Sequence, residues 1–523
     1  MFGATFGIVA QGLEIFRKSM DIRNKNVLNA NNPDYAQEEP VINSFAPAGI
    51  VLEDIRRAQS FYYMSLRNQK LSLVSALDTT MRGNSRIEDL FQEFTQGLGG
   101  SEYISMFFSS YQNLMKEPTN EGAKGELKNS ARSLLSYLKD RRRDLDRALD
   151  SIDYDMRQYV DRVNNLTKKI ANINQEILIA HAQTYARGKD YKNLLDERDK
   201  YLRELSDYIN INVQEDEIGR VRVETSKGFV LVEERYSWNL RYDGGSNKIY
   251  WVSKDNADVD ITNLIEGGRI RGLLEFSSDL RNYTSQLEGL ARKLISEVKL
   301  PLNAQTTNSW YWFRNVNDPN APLGLSGIIT FNIGNSTLTL NYTSTDSLNN
   351  IITAINTDPA INQYFTANLV NNPDGTHTML INPQNPNYTI EDSNGLIHRS
   401  EPLFVGTGIN DIDLNPNLNT YIQNLEYEKA DEFNDFSRGW WDGAKSLYAN
   451  LVNHLASRQW DLKKKHEIES SLLKSIDAKV QELQGVSIDE EFIELMKLQR
   501  SYEAIAMVVN RLDEMLKATL NMV

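Results

Sequence analysis

The sequence predicts an α+β fold: an elongated multi-domain rod with a terminal α-helical coiled coil, a long-helix bundle core carrying a small β part, and an inserted β-rich outer domain. Three observations carry this expectation. Stripes of large apolar residues recur every seven positions at both ends of the 523-residue chain. From Thr119 to Arg187 there is no proline, and leucine and isoleucine keep a three-and-four spacing, the pattern of one very long helix. From about 301 to 420 that spacing gives way to short alternating runs between Asn, Gly and Pro, the pattern of strands and turns.

The last helix is read from GVSIDEEFIELMKLQRSYEAIAMVVNRLDEMLKATLNMV. Ile488, Leu495, Tyr502, Val509, Leu516 and Val523 lie seven apart, with Leu498, Ile505 and Leu512 beside them. A strict period of seven makes a straight helix drift off its partner, so two such helices wind round each other to stay in contact. At the other end Phe2, Val9 and Phe16 form one set. Phe6, Leu13, Met20 and Val27 form the complementary set, offset by four, and Arg23 stands where an apolar residue is due. Pairing the two helices is the simplest way to bury both stripes, and a stripe wider than one partner can cover is left for neighbouring subunits. The alternative is two ordinary amphipathic helices on a globular core. A signal peptide fits poorly, because the start lacks a basic region and Glu14 interrupts apolar residues that are spaced rather than continuous.

Composition narrows the function classes. No apolar run approaches the ~20 residues of a membrane span, so membrane insertion is not expected. A formal net charge of −14 argues against nucleic acid, whose phosphates need a basic face. With no cysteine there is neither a disulfide scaffold nor a thiolate metal site. His181, His377, His398, His454 and His466 are scattered and make no zinc-protease motif, and there is no phosphate loop, nucleotide fingerprint or serine elbow. Asp411, Asp413 and Asn415 imitate the start of a calcium loop, but Pro416 stands where glycine is needed and Ile422 where glutamate is needed. No catalytic, cofactor or metal site is therefore expected.

The elements follow in order. Asn26, Asn29, Asn31, Asn32 and Pro33 stop the first helix, because Asn competes for backbone hydrogen bonds and Pro removes a donor. Residues 36–60 read as a linker, with Val41, Ile42, Ile50, Val51 and Leu52 either paired as short strands or extended. Helix returns from Ser60 to about Gln96, then from 101 to 116, then through the long element to Arg187. Within it Lys139 and Arg141–Arg143 interleave with Asp140, Asp144 and Asp146, which reads as a salt-bridged solvated face. A helix follows over YKNLLDERDKYLRELSDYINI. Its Asp196 and Asp199 suggest a carboxylate pair, but no histidine or ligand spacing accompanies them, and pairing of Glu197 with Tyr201 and Asp199 with Arg203 is expected instead. Residues 211–264 read as short strands, and the segment from Gly267 to Val298 as helix. Within 301–420 a hairpin turns at Gly334-Asn335, Ser347 and Asp346 cap a short helix, and three strands follow. A long helix from Tyr421 to Leu483, with Trp440-Trp441 as packing residues, precedes the last one. The expected domains are 1–60 plus 484–523, the terminal helices; 61–300 plus 421–483, the long-helix rod with its β segment at 211–264; and 301–420, the inserted β-rich outer domain.

Two stretches carry a resemblance. NVLNANNPDY is similar to the Asn-(Ile/Val)-x-Asn-x-x-x-Pro-Gly-Tyr signature of bacterial flagellar axial proteins, the rod, hook and hook-associated family. Asn26, Val27, Asn29, Pro33 and Tyr35 match, Asp34 replaces the usual Gly, and Ala36-Gln37 replaces the usual Ser-Arg. Leu194, Leu195, Asp196, Arg198, Asp199, Glu204 and Leu205 resemble a Leu-Leu-Asp-x-Arg-Asp-x-x-x-x-Glu-Leu motif of the hook–filament junction proteins of that family, and favour them over flagellin or the hook protein. Glu491 to Asn521 looks like the family's closing helix, and the β-β-α-β-β run after 301 looks like a small module inserted in flagellins and hook-associated proteins.

The resemblance implies a structural adaptor and no enzyme: a junction ring between hook and filament, built by stacking terminal helices. It implies further copies of the chain, the hook protein, the second hook-associated junction protein and a flagellar export chaperone as partners. It also implies secretion by the flagellar type III route to the extracellular flagellum. The residues expected to pack in assembly are Phe2, Phe6, Val9, Leu13, Phe16, Met20, Leu495, Tyr502, Val509 and Leu516. The alternatives are another axial protein, such as the second junction protein or a flagellin, and a cytoplasmic helical scaffold.

Overall fold

Helix α1 (Phe2–Asn29) opens the computed structural model, which describes residues 2–520 apart from 33, 46–48, 94–98, 188–190 and 256, with backbone alone at 2–5, 45, 184–187 and 519–520. An antiparallel hairpin follows, β1 (Glu38–Phe45) and β2 (Gly49–Arg57), in which Ile42 lies opposite Leu52 and Asn43 opposite Val51. The stretch expected as a linker is thus paired. Pro40 sits inside β1 without cost because a two-stranded ribbon leaves each strand an edge that needs no donor.

Helix α2 (Phe61–Phe91) stops short of the expected Gln96, because Gln92 takes a positive φ of 54°. Helices α3 (Gly100–Lys116), α4 (Glu121–Arg187) and α5 (Lys192–Tyr208) come next. The basic cluster on α4 is ion-paired within the helix, Arg142 with Asp146 and Arg141 with Asp144, both at 3.0 Å, and Arg143 with Asp140. Two small sheets follow. One is β3 (Ile211–Glu215), β4 (Val221–Thr225), β5 (Val230–Glu233) and β6 (Tyr236–Ser237); the other is β7 (Leu240–Asp243), β8 (Lys248–Val252) and β9 (Asp258–Asp260). Helix α6 (Gly268–Glu297) ends this stretch.

The β-rich part is larger than the sequence pattern suggests. It holds β10 (Lys299–Pro301), β11 (Trp310–Trp312), β12 (Gly327–Ile333), β13 (Ser336–Tyr342), α7 (Leu348–Thr357), β14 (Phe365–Asn371), β15 (His377–Pro383), β16 (Thr389–Asp392), β17 (Ile397–Pro402), β18 (Phe404–Val405), β19 (Asp413–Leu414) and α8 (Leu418–Gln423). Strands pair in the orders β10-β17-β11-β15-β14 and β13-β12-β16. Their core is Trp312, Ile329, Phe331, Phe365 and Met379 with Ile351 and Ile355 of α7. Ser347 caps α7 by accepting from Asn350 N. The Asp411 carboxylate accepts from the Thr407 and Gly408 amides, so it holds a turn.

Helix α9 (Ala430–Gln484) begins nine residues after the expected Tyr421. The chain between α8 and α9 instead pairs with the end of β10: Asn303 N donates to Asn424 O, and Glu426 N to Pro301 O. Trp440 lies in a cluster of rings with Phe433, Phe436, Phe313 and Tyr111. Helix α10 (Ile488–Leu520) ends the fold, which is α+β and multi-domain.

The chain divides into two compact units, one of residues 1–81, 152–275 and 462–523, the other of 82–151 and 276–461. In the second, Lys299 is buried, donates from Nζ to Ser296 O at 2.7 Å and lies over the Tyr311 and Phe313 rings. Burial pushes its ammonium down to about 8, against the pull of Glu297 and Asp374. The unfolded chain therefore binds more protons between that value and the ordinary one of 10.5, and stability rises with pH across this window. Lys299→Met should stabilise the protein near neutral pH by about 1–3 kcal/mol, after allowance for the lost hydrogen bond. The gain should shrink as pH rises above the folded value and disappear above the unfolded one. Denaturant titrations of both proteins across that range would measure it, and a gain independent of pH would contradict it.

Candidate assembly interface

The two terminal helices lie side by side and antiparallel within the first unit. A Cβ built on Gly12 would lie 3.3 Å from Ile505 Cδ1, and Arg23 Nη1 lies 3.1 Å from Glu491 Oε1. Helix α1 has a second partner, the hairpin β1–β2, and Gly49 comes close to Ile8. Its deepest residues are accordingly Gly12, Ile15, Ser19, Ile22 and Asn26. This face was not marked by the stripe of larger side chains.

The residues expected to pack in assembly are distributed as follows. Val9, Leu13, Phe16 and Met20 are half-buried on α1, and Phe6 is exposed at 39 %. The Phe2 side chain lies outside the described residues. On α10, Leu495, Tyr502, Val509 and Leu516 are half-buried, as are Leu498, Ile505 and Leu512 beside them. Pairing with α1 leaves a second set uncovered: Phe492, Ile493, Met496, Met507 and Val508 are exposed, Met507 at 66 %. Large apolar side chains gathered on one helix in this way mark an interaction surface.

Below the seam the two sequence motifs meet. Asn26 is fully buried and uses its whole amide: Nδ2 donates to Glu38 O and to Glu491 Oε1, both at 2.9 Å, while Oδ1 accepts from Tyr35 OH at 2.7 Å and from Glu38 N at 3.0 Å. Burial pushes the Tyr35 phenol well up, with Glu38, Asp196 and Glu491 adding to the shift. Glu491 has no exposed surface, and its carboxylate also takes Gln37 Nε2 at 2.6 Å. It lies in the first turn of α10, where the free amides of a helix favour negative charge. Asn29 does less, donating only to Lys25 O one turn back. Pro33 lies outside the described residues.

The next residues reach α5. Asp34 pairs with Arg203 at 2.7 Å, and Ala36 N lies 3.5 Å from Asp196 Oδ1. The expected Asp199–Arg203 pair is therefore not made, because Asp34 takes Arg203 and β2 delivers Arg57 to the aspartates. Arg57 Nη2 lies 2.5 Å from Asp196 Oδ1 and 3.1 Å from Asp199 Oδ2. Glu197 does bond Tyr201, at 2.7 Å. Arg198 is fully buried and forks onto Asp199 Oδ1 at 2.9 and 2.6 Å, with Glu215 and Gly219 O as further acceptors. Leu195 packs with Ile173 and Ile177, and Leu194 lies at the edge of that cluster. Burial pushes the Asp196 carboxyl up and Arg57 pulls it back. Two carboxylates so fully held by guanidinium groups are a structural joint. Among the described residues no group of three acidic or histidine side chains is placed to hold a metal, and no helix is long and apolar enough to cross a membrane.

The pairing of Glu491 with Arg23 was not expected from the sequence, although the signal was there. Glu491 falls seven residues before Leu498, on a stripe position, as Arg23 does seven after Phe16. Opposite charges in the seams of two helices that must pair are a pairing signal.

Comparison with known proteins bears on the same regions. Residues 84–308 match the family described as flagellar hook-associated protein FlgK helical domain, and residues 479–522 the family described as flagellar basal body rod FlgEFG protein C-terminal. The chain is 22 % identical over 563 residues to flagellar hook-associated protein 1 of Salmonella typhimurium, and 21 % over 561 residues to that of Escherichia coli K12, with 98 % of each chain covered in both cases. Among solved structures it is similar to the flagellar hook junction protein FlgK from Burkholderia pseudomallei, with a TM-score of 0.49 and 14 % identity over 81 % of this chain and 100 % of the other.

Proposed function

From the chain's membership of the hook-associated protein 1 family of flagellar axial proteins, we propose that it is a structural adaptor forming the junction ring between hook and filament by stacking of its terminal helices. The observation that carries this is the uncovered apolar set on α10, Phe492, Ile493, Met496, Met507 and Val508, which remains exposed after α1 has taken the other face. Neighbouring copies bearing the same helices are its natural cover. Each contact can be modest, because a closed ring multiplies it. In this reading residues 1–60 with 484–523 form the inner part, 61–300 with 421–483 the body and 301–420 the outer part. Phe2, Phe6, Val9, Leu13, Phe16, Met20, Leu495, Tyr502, Val509 and Leu516 supply the packing. The partners are the hook protein on one side, the second hook-associated junction protein on the other, and an export chaperone beforehand. The route is flagellar type III secretion to the extracellular flagellum.

The test is a charge on the uncovered face. Val508→Asp, at a side chain 48 % exposed in the single chain, should abolish addition of purified subunits to isolated hooks, since a carboxylate forced into an apolar contact between copies costs roughly 2–4 kcal/mol at every copy. Far-ultraviolet circular dichroism should keep nearly all of its helical signal. Cells carrying this variant should be non-motile; normal motility or normal addition to hooks would refute the reading. Filaments grown by the subunits alone would instead point to a flagellin.

A further inference from the structure

We propose that the buried pair Arg23–Glu491, with Asn26 and Gln37, fixes the register of the terminal helices and rejects out-of-step pairing with another copy of the chain. The reasoning starts from an ambiguity. A seam of apolar residues repeating every seven positions looks nearly the same to a partner shifted by seven, so burial alone selects a register weakly. Gly12 lies beside Ile505 and Asn26 beside Glu491, which is two repeats on each helix. Slipping by one repeat would keep most apolar contacts. It would also bring Glu491 opposite Ser19 and Phe16, away from Arg23, and Arg23 opposite Gln484, before α10 begins.

The observed joint makes such a slip costly. The Glu491 side chain is 0 % exposed and that of Arg23 only 15 %. Arg23 Nη1 reaches both carboxylate oxygens, at 3.1 and 3.3 Å, while Asn26 and Gln37 hold Oε1. A carboxylate with this much burial is tolerated only with these partners, and an unpaired buried charge is far worse than an apolar residue there. Gln37 adds a second index, since its own amide donates to Gln484 O at the end of α9, so the start of α10 is tied on two sides. The pair therefore acts as a positioning device. Charge sits at one step of an apolar seam, and only one register joins plus to minus. This goes beyond the assembly proposed above. It concerns the single chain, so its failure shows in crosslinks and the other's in addition to hooks.

The chain has no cysteine, so engineered pairs report cleanly. Gly12→Cys with Ile505→Cys reports the observed register, and Gly12→Cys with Leu498→Cys reports the slipped one, both read with a short bismaleimide and mass analysis. In the otherwise unaltered chain only the first pair should crosslink, and within one molecule. With Glu491→Leu the second pair should also crosslink, and crosslinked dimers should appear as concentration rises. Arg23→Glu, which sets two carboxylates against each other, should lose the first crosslink. Should Glu491→Leu not fold, Glu491→Gln, which keeps the shape without the charge, carries the same readout. A single crosslink in the observed register from these Glu491 variants, or an intact first crosslink in Arg23→Glu, would overturn the proposal.

Discussion

Asn26→Leu should destabilise the packing of α1, the hairpin and α10 by about 3–5 kcal/mol, the range for a buried polar network that loses its centre. Four hydrogen bonds disappear at once. Glu38 N and O are held inside by the same amide, and Tyr35 OH points at it. Glu491 keeps Arg23 and Gln37 but loses the donor on its inner side. Amide exchange should locate the damage: protection should fall in α1, at the start of β1 and in the first turns of α10, while the unit containing 276–461 is unchanged. Asn29→Ala supplies the comparison, since Asn29 donates only to a carbonyl of its own helix. Its cost should stay below about 1 kcal/mol. Equal costs for the two asparagines would show that the signature works in some way other than this network.

Arg198→Met should be comparably severe, at about 3–5 kcal/mol, because it removes the cation from a buried group of acceptors. Methionine matches the length of the stem, so the loss is electrostatic more than steric. Asp199 would retain Arg57 and Gln59, but Oδ1 would lose both arms of the fork, and Glu215 and Gly219 O would lose their donor. Arg198→Lys should recover only part of this loss, since one ammonium cannot span acceptors on α5, β3 and the turn before β4 as a planar guanidinium does. Thermal unfolding of the three proteins would rank them. Arg157→Met, whose side chain is 57 % exposed and whose partner Asp153 is 37 % exposed, should leave the unfolding temperature nearly unchanged. If Arg198→Met and Arg157→Met proved equally mild, the buried fork would not be a joint.

Much of the fold was legible because a helix is a local object. Its hydrogen bonds close within four residues, so spacing and breakers suffice to place it. That is why α3, α4, α5, α7 and α10 fall where periodicity and caps put them. The boundaries that moved are those where something distant competes for the backbone. Helix α9 starts late because residues 424–426 bond to 301–303. The strands β10, β11 and β17 escaped notice because each is short and pairs with residues far along the chain, as Trp310 does with Arg399.

The sequence by itself determined that two terminal helices carry apolar stripes, that a long-helix body and a β-rich stretch separate them, and that two motifs tie the chain to flagellar axial proteins. Only the tertiary structure decided that these two motifs are one joint. Asn26 and Tyr35 complete their bonds on Glu38 and Glu491, and the chain just beyond them meets Asp196 and Arg203. Nothing local marks that meeting. Arg23 and Glu491 are 468 residues apart, and a buried charge is tolerable only where the fold delivers its counter-charge, a condition set by packing rather than by any stretch of sequence.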